Sequence, residues 1–327
     1  MNDLNVLVYK NADAVMIYCQ PIFRRGEGFG NRLFAWARCR VFASQYDARA
    51  ITPIWLRPAV GPLLRGGIDY SSYLHQIALW GLFTKCPGDL GVLVGLWQAR
   101  KCPIIREEAL TEYSAPELGN LGVRILFDRA WYSFTPLLRH EAYLRGELRK
   151  ITRPSLTEFV DAIQYSFIGI NIRCGNDFKA APDAERGFDW VGWLQRTPVS
   201  WYIECLTAIR GACGYSVPAI VVSDGDESML KDVLALEHIH FLRPGTAITD
   251  LLVLARSTVL LASGSSTFSA WAAFLGGMPA VTAPGHPLTE WGLQGTDQCY
   301  IGDFDPRRPT GKFLQQCSER FANSPVP

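Results

Sequence analysis

The chain has 327 residues, 48% of them apolar and 19% charged, with a formal net charge of +1. That balance supports a packed core and excludes a disordered chain, and the near-neutral charge leaves no footprint of a nucleic-acid binder. The length suits one large domain or two ordinary ones.

Taken in chain order, the first twenty residues hold acidic side chains and no basic leader before their apolar stretch. No segment reaches the roughly 18 apolar residues that a spanning helix needs. The sequence therefore reads as cytoplasmic, without a transmembrane segment and compatible with peripheral membrane association. A first strand is expected at Ala14–Cys19. It leads into RRGEGFGNRLFAWARCR (residues 24–40), a glycine-rich turn followed by a helix from about Asn31 to Ser44. Leu33, Phe34, Ala37 and Val41 share one face of that helix. RAITPIW reads as a second strand, and residues 56–72, rich in Pro and Gly, as a loop. Strand-like runs recur at Val92–Trp97 and Val123–Phe127. A charged helix over Leu137–Lys150 ends at ITRPS, which reads as a linker.

Beyond the linker the alternation is regular. Strands are expected at Phe167–Arg173, PAIVVSD, HIHFL, STVLLAS and PAVTA. Helices fall between them at Val199–Arg210, Asp226–Leu236, after the N-cap Thr246, and at STFSAWAAFLGG. Strands alternating with helices of this length imply parallel sheets covered on both faces. Two such halves, residues 1–155 and 156–327, imply two Rossmann-like domains facing a central cleft. The nine cysteines are odd in number and never spaced as CxxC, so they read as buried thiols in a reducing compartment; the histidines form no HExxH zinc motif.

Ligands of such sheets bind at the carboxyl ends of the strands. The first strand of the second half ends FIGINIRCGNDF (167–178), where Arg173 can grip a phosphate through two parallel hydrogen bonds or simply pair with Asp177 at the surface. The second ends VVSDGDES (221–228). There Asp224 can bind a ribose hydroxyl or base edge, Ser223, Asp224 or Asp226 can cap the next helix, and the DGD pattern can hold a divalent ion. The third ends LLASGSSTFSAWAAF (260–274). Its Gly264–Thr267 turn offers a helix N-terminus and hydroxyls to a phosphate, or serves only as a cap. It is neither a serine-hydrolase elbow, since GxSxG fails at Phe268, nor a P-loop, since no lysine follows the glycines. GEGFGN likewise fails the dinucleotide pattern GxGxxG at Asn31. An arginine, an aspartate and a hydroxyl-rich helix start at one sheet edge together suit a nucleotide diphosphate.

These residues also resemble a known superfamily. NIRCGND resembles the HxRxGxD signature of the fucosyltransferases that include the α-1,2 and protein O-fucosyltransferases, with Asn171 in the place of the histidine. GFGNRLFAWARCRVFA resembles their glycine loop and helix, VVSDGDE their strand and aspartate, and DLLVLARSTVLLASGSSTFSAWAAFLGG their DLxLMxxC…NSTFSWWAA segment. The motifs occur in the expected order and touch about a quarter of the chain. The resemblance implies a GT-B fold, GDP-fucose as donor, a glycan acceptor, and inverting transfer with neither metal nor other cofactor. It implies that Arg173 binds the β-phosphate and steadies the leaving GDP. Ser265, Ser266, Thr267 and Phe268 then hold the diphosphate, and Asp224 contacts the nucleoside. Asn171 falls on the donor side, while Asn31 lies near the transferred sugar, with Gly28 and Gly30 permitting close approach. A base for the acceptor hydroxyl is sought among Asp177, Asp183, Glu185 and Asp189, with Asp177 in the signature itself. The aromatic cluster Phe188–Trp193 suits either a sugar face or a hydrophobic lid. A transferase for another nucleotide sugar and a catalytically inactive sugar-nucleotide-binding protein remain the alternatives.

Overall fold

The apolar runs of the second half are short, β-branched and bounded by turn residues, and in the computed structural model they form one parallel sheet. The structure describes residues 16–24, 27–55, 83–175, 195–242, 246–285, 287–309 and 311–322. Its strands are β1 (Tyr18–Pro21), β2 (Arg49–Ala50), β3 (Ile104–Arg106), β4 (Arg124–Phe127), β5 (Ile168–Ile172), β6 (Ala219–Ser223), β7 (Ile239–Phe241), β8 (Val259–Leu261), β9 (Ala280–Thr282) and β10 (Ile301–Asp303). Its α-helices are α1 (Phe29–Gln45), α2 (Val92–Gln98), α3 (Ala115–Leu121), α4 (Glu141–Ile151), α5 (Pro154–Asp161), α6 (Val199–Cys213), α7 (Glu227–Leu234), α8 (Ala247–Arg256), α9 (Thr267–Gly276) and α10 (Gly311–Ala322).

Two compact units result. The first comprises the described residues within Met1–Glu27, Ala35–Trp55 and Lys85–Trp131. Its four strands run parallel in the order β2-β1-β4-β3. They close on a core of Ile17, Cys19, Ile105, Ile125 and Phe127 from the sheet and Cys39, Phe42 and Leu118 from helices. Arg38 is buried here without being an orphan. It donates to both oxygens of Glu107 and to the carbonyls of Arg129 and Trp131, so its charge is paired and its donors are filled.

The second unit comprises the described residues within Gly28–Phe34, Leu56–Thr84 and Tyr132–Pro327. The first turns of α1 thus belong to it. Its six strands are all parallel, in the order β10-β9-β8-β5-β6-β7. This is the strand order of doubly wound dinucleotide-binding sheets. On β5 the alternate residues separate by face. Ile168, Ile170 and Ile172 join Trp201, Cys205, Phe313, Cys317 and Phe321 in the core. Gly169 turns the other way, where an added Cβ would come within 2.7 Å of the Ser257 hydroxyl, so the sheet is covered on both sides.

Several sequence expectations change. Val92–Trp97 is a helix, not a strand. Gly95 is its buried position, with Ala99 buried in the turn that follows, and Gly95 rests against Ile51 so tightly that a Cβ would lie 2.8 Å from its side chain. A short apolar run does not by itself distinguish helix from strand. Of the expected first strand, residues 14 and 15 lie outside the described residues and β1 runs Tyr18–Pro21, while RAITPIW pairs only through its first residues. ITRPS is a tight corner rather than a linker. Thr152 ends α4 with its hydroxyl on the Leu148 carbonyl, and Pro154 opens α5 at the position where a missing N–H costs nothing. β3, β10 and α10 were not foreseen. α10 packs on α6 within the second unit and carries Phe313, Cys317 and Phe321 into its core. All nine cysteines are free thiols, six of them buried. The expected loop at 56–72 lies outside the described residues.

Candidate functional site

Strand order points to the site. From β5 the chain runs outward through β6 and β7, then crosses back to β8 on the other side of β5. The crevice beyond the carboxyl ends of β5 and β8 is therefore the topological switch point, where such sheets bind ligands. Arg173 and the Gly264–Thr267 turn are the residues that follow these two strands.

Asp224, after β6, reaches across to this edge. Its Oδ2 lies 2.7 Å from Nη1 of Arg173, and its two oxygens accept from the backbone N–H groups of Cys174, at 2.6 Å, and Gly175, at 3.1 Å. The carboxylate thus fixes both the guanidinium and the turn after β5. Capping of α7 falls instead to Asp226, which accepts from the Met229 N–H and the Ser228 hydroxyl. Those bonds, the hydroxyl first, hold the Asp226 carboxyl below its ordinary range. Gly225 is required between the two aspartates, since a Cβ there would stand 2.7 Å from that of Cys174. The Cys174 thiol is pushed up by burial and by Asp224, against a hydrogen bond from Ser223.

Beneath the arginine sits a hydroxyl network that the sequence did not reveal. Ser263, just beyond β8, accepts from the Arg173 N–H at 2.9 Å and donates to the Asn171 carbonyl at 2.9 Å. A hydroxyl has one proton, so the 2.8 Å contact with Tyr202 makes the phenol the donor. Burial raises the Tyr202 pKa well above the ordinary phenol, so that proton stays in place. Asn171 is buried in β5, and its backbone carbonyl anchors Ser263. The only sequence signal for Ser263 was its place at the head of SGSSTFS.

The turn after β8 is strained and incompletely bonded. Ser265 adopts φ +56°, unusual for a residue with a Cβ, and its buried Oγ has no hydrogen-bond partner among the described residues. Ser266 caps α9 by accepting from the Ser269 N–H. Thr267 donates to Oδ1 of Asn31 at 2.8 Å, and the indole N–H of Trp271 donates to the Gly30 carbonyl at 2.8 Å. An added Cβ on Gly30 would come within 2.7 Å of Thr267 Oγ1 and 3.0 Å of the Phe268 nitrogen, so only glycine permits this approach. Phe268 lies 6.4 Å from the Phe29 ring. The glycine loop and the α9 start are therefore one structure. Gly28 is exposed with open space around its Cα. Of the predicted site residues, Asn31, Gly30, Thr267 and Phe268 meet in this cluster, and Arg173, Asp224 and Asn171 meet in the network beside it. Ser265 and Ser266 lie in the turn that continues from Ser263. Asp177, Asn176, Asp183, Glu185, Asp189 and Phe188–Trp193 lie outside the described residues. Among the described residues no group of three or more His, Cys, Asp or Glu is placed to hold a metal ion.

No family model and no curated protein matches the chain. Solved structures do. The fucosyltransferase NodZ from Bradyrhizobium is 17% identical, with 83% of this chain and 97% of that one covered and a TM-score of 0.48. NodZ α-1,6-fucosyltransferase soaked with GDP-fucose gives 16% identity, 81% and 93% coverage and a TM-score of 0.47. POFUT1 in complex with GDP gives 13% identity, 83% and 99% coverage and a TM-score of 0.45. At such identities and TM-scores the chemistry has to come from the side chains themselves.

Proposed function

We propose that this chain is an inverting fucosyltransferase of GT-B architecture, which moves fucose from GDP-fucose to a hydroxyl of a glycan acceptor. One observation carries the reading. At the switch point of a doubly wound sheet, an arginine held by Asp224 stands beside a strained turn whose Ser265 Oγ is buried and has no partner among the described residues. A buried donor without an acceptor is costly, and a diphosphate oxygen is a suitable acceptor. Fucose and guanosine enter through the motif resemblance.

In the transfer, the acceptor oxygen attacks the anomeric carbon, the bond to the β-phosphate oxygen breaks, and GDP leaves with the electron pair. Charge grows on the leaving oxygen. Arg173 and the N–H groups at the start of α9 meet that charge without having to reorganise, because Asp224 and Ser266 already fix them. We assign this work to the arginine rather than to a metal held by Asp224–Asp226. Both oxygens of Asp224 already serve the guanidinium and two backbone donors, and Asp226 is the α7 cap. Asn31, fixed by Thr267, faces the transferred sugar, and Asp177 takes the acceptor proton. Residues 156–327 supply the donor side and residues 1–155 the acceptor side, in a cytoplasmic protein whose free thiols suit a reducing compartment.

The test is turnover of a panel of nucleotide sugars, followed as nucleotide release with and without sugar acceptors. Release of GDP from GDP-fucose, lost in Arg173→Ala, is the expected result. Turnover of a different nucleotide sugar would move the assignment to another transferase. Binding without any turnover would make this an inactive sugar-nucleotide binder.

A further inference from the structure

The first unit carries a surface to which no residue of the proposed transfer has been assigned. Helix α2 buries Gly95, with Ala99 buried just beyond its end, half-buries Val92 and Leu96, and turns Leu93, Val94 and Trp97 outward. Leu93 is 84% exposed, Val94 53% and Trp97 64%, and Ile104 beyond the helix is 55% exposed. With Gln98 the first three line a shallow cavity of about 400 Å³. A helix that tucks glycine inward while presenting leucine, valine and tryptophan inverts the usual amphipathic pattern, and such an apolar patch marks an interaction surface.

Charge selects the partner. LGVLVGLWQARKCPII (residues 90–105) contains no carboxylate, and its only charges are Arg100 and Lys101. Of the flanking acids, Asp89 pairs with Arg40 and Glu107 with Arg38, while Glu108 beyond Ile105 is exposed. The Arg100 guanidinium lies 4.2 Å over the Trp97 ring and donates to the Trp97 carbonyl, so a cation is held at the rim of the apolar patch. Lys101 is exposed beside it. Apolar side chains with an indole, edged by two exposed cations, match the boundary between acyl chains and anionic headgroups.

We infer that α2 and the turn after it dock this protein peripherally on an anionic lipid surface. Leu93, Val94 and Trp97 enter the headgroup boundary, and Arg100 and Lys101 contact lipid phosphates. This inference is independent of the donor site.

The experiment is sedimentation of the full chain with vesicles of phosphatidylcholine alone or with one third phosphatidylglycerol, at low and high salt. Binding is expected only to the anionic vesicles and falls with salt. Arg100→Ala and Lys101→Ala each weaken it about fivefold. Trp97→Glu and Leu93→Glu abolish it without lowering the melting temperature, since both side chains face solvent. Arg173→Ala, which tests the donor site, binds vesicles as the unaltered protein does. Absence of binding, equal binding to neutral vesicles, or binding untouched by Trp97→Glu would overturn the inference. A concentration-dependent dimer that Trp97→Glu dissolves, without lipid binding, would overturn it in favour of a second copy of this chain.

Discussion

Replacing Gly30 by alanine is the sharpest test of the joint between the glycine loop and the candidate phosphate turn. Gly30 lies in the first turn of α1, where alanine is the better helix former by at most about 1 kcal/mol. Against that gain, the new methyl would stand 2.7 Å from Thr267 Oγ1, 3.0 Å from the Phe268 nitrogen and 3.1 Å from the Thr267 carbonyl carbon. Two of these three atoms are backbone at the start of a buried helix, and they cannot swing aside. Overpacking of this kind costs about 1–3 kcal/mol. The shift also strains the Thr267–Asn31 and Trp271–Gly30 hydrogen bonds. Gly30→Ala should therefore lower the melting temperature by about 2–6 °C, and weaken nucleotide binding more than that loss of stability explains. Gly28→Ser is the control, because no described residue lies within 4 Å of its added Cβ and serine is a good N-cap. Calorimetric melting with nucleotide titration reads both quantities. A Gly30→Ala protein as stable as the parent, with unchanged affinity, would refute the close approach and the site built on it.

Three further outcomes follow from the same geometry. Arg173→Ala should lower transfer by about 10²–10³. Its melting temperature should barely change, since the ion pair with Asp224 is about a third exposed and such pairs contribute no more than about 1 kcal/mol. Tyr202→Phe removes one donor from Ser263, which keeps its bonds to Arg173 and Asn171. Urea unfolding should show a loss of about 0.5–1.5 kcal/mol. Burial raises the Asp250 carboxyl to about 7, and its Oδ1 has no partner among the described residues. The folded state therefore holds a proton that the unfolded state has released, so stability falls as pH rises from about 4 through 7. Asp250→Asn should flatten that slope and stabilise the protein at pH 8 by up to about 4 kcal/mol, measured by urea unfolding across pH.

Most of the second unit was legible in the sequence because its local signals agree. Short β-branched strands alternate with helices whose caps, Thr246 and Ser266, and terminal glycine, Gly277, sit where the apolar period begins and ends. VLVGLWQ misled for the opposite reason. Its side chains favour a strand, and the helix brings Gly95 against Ile51 in a tertiary contact that no local signal announces. The tail does carry a helical period at Phe313, Cys317 and Phe321, but nothing in the linear pattern says that this face packs against α6. At the site, Arg173, Asp224 and the serine turn were visible as strand-end residues. Which aspartate caps α7, and the bridging role of Ser263, depend on side-chain directions across neighbouring strands. A linear pattern does not encode those directions.

The account turns on a diphosphate bound at the switch point through guanidinium and backbone donors. Calorimetry of GDP, UDP, CMP, ADP and NAD with the full chain, with and without chelator, tests this most directly. The account predicts micromolar binding of GDP alone, indifferent to chelator and lost in Arg173→Ala. Preference for another nucleotide would contradict the donor assignment. Binding of GDP that disappears with chelator would contradict the role given to Arg173 and return Asp224 and Asp226 to a metal site.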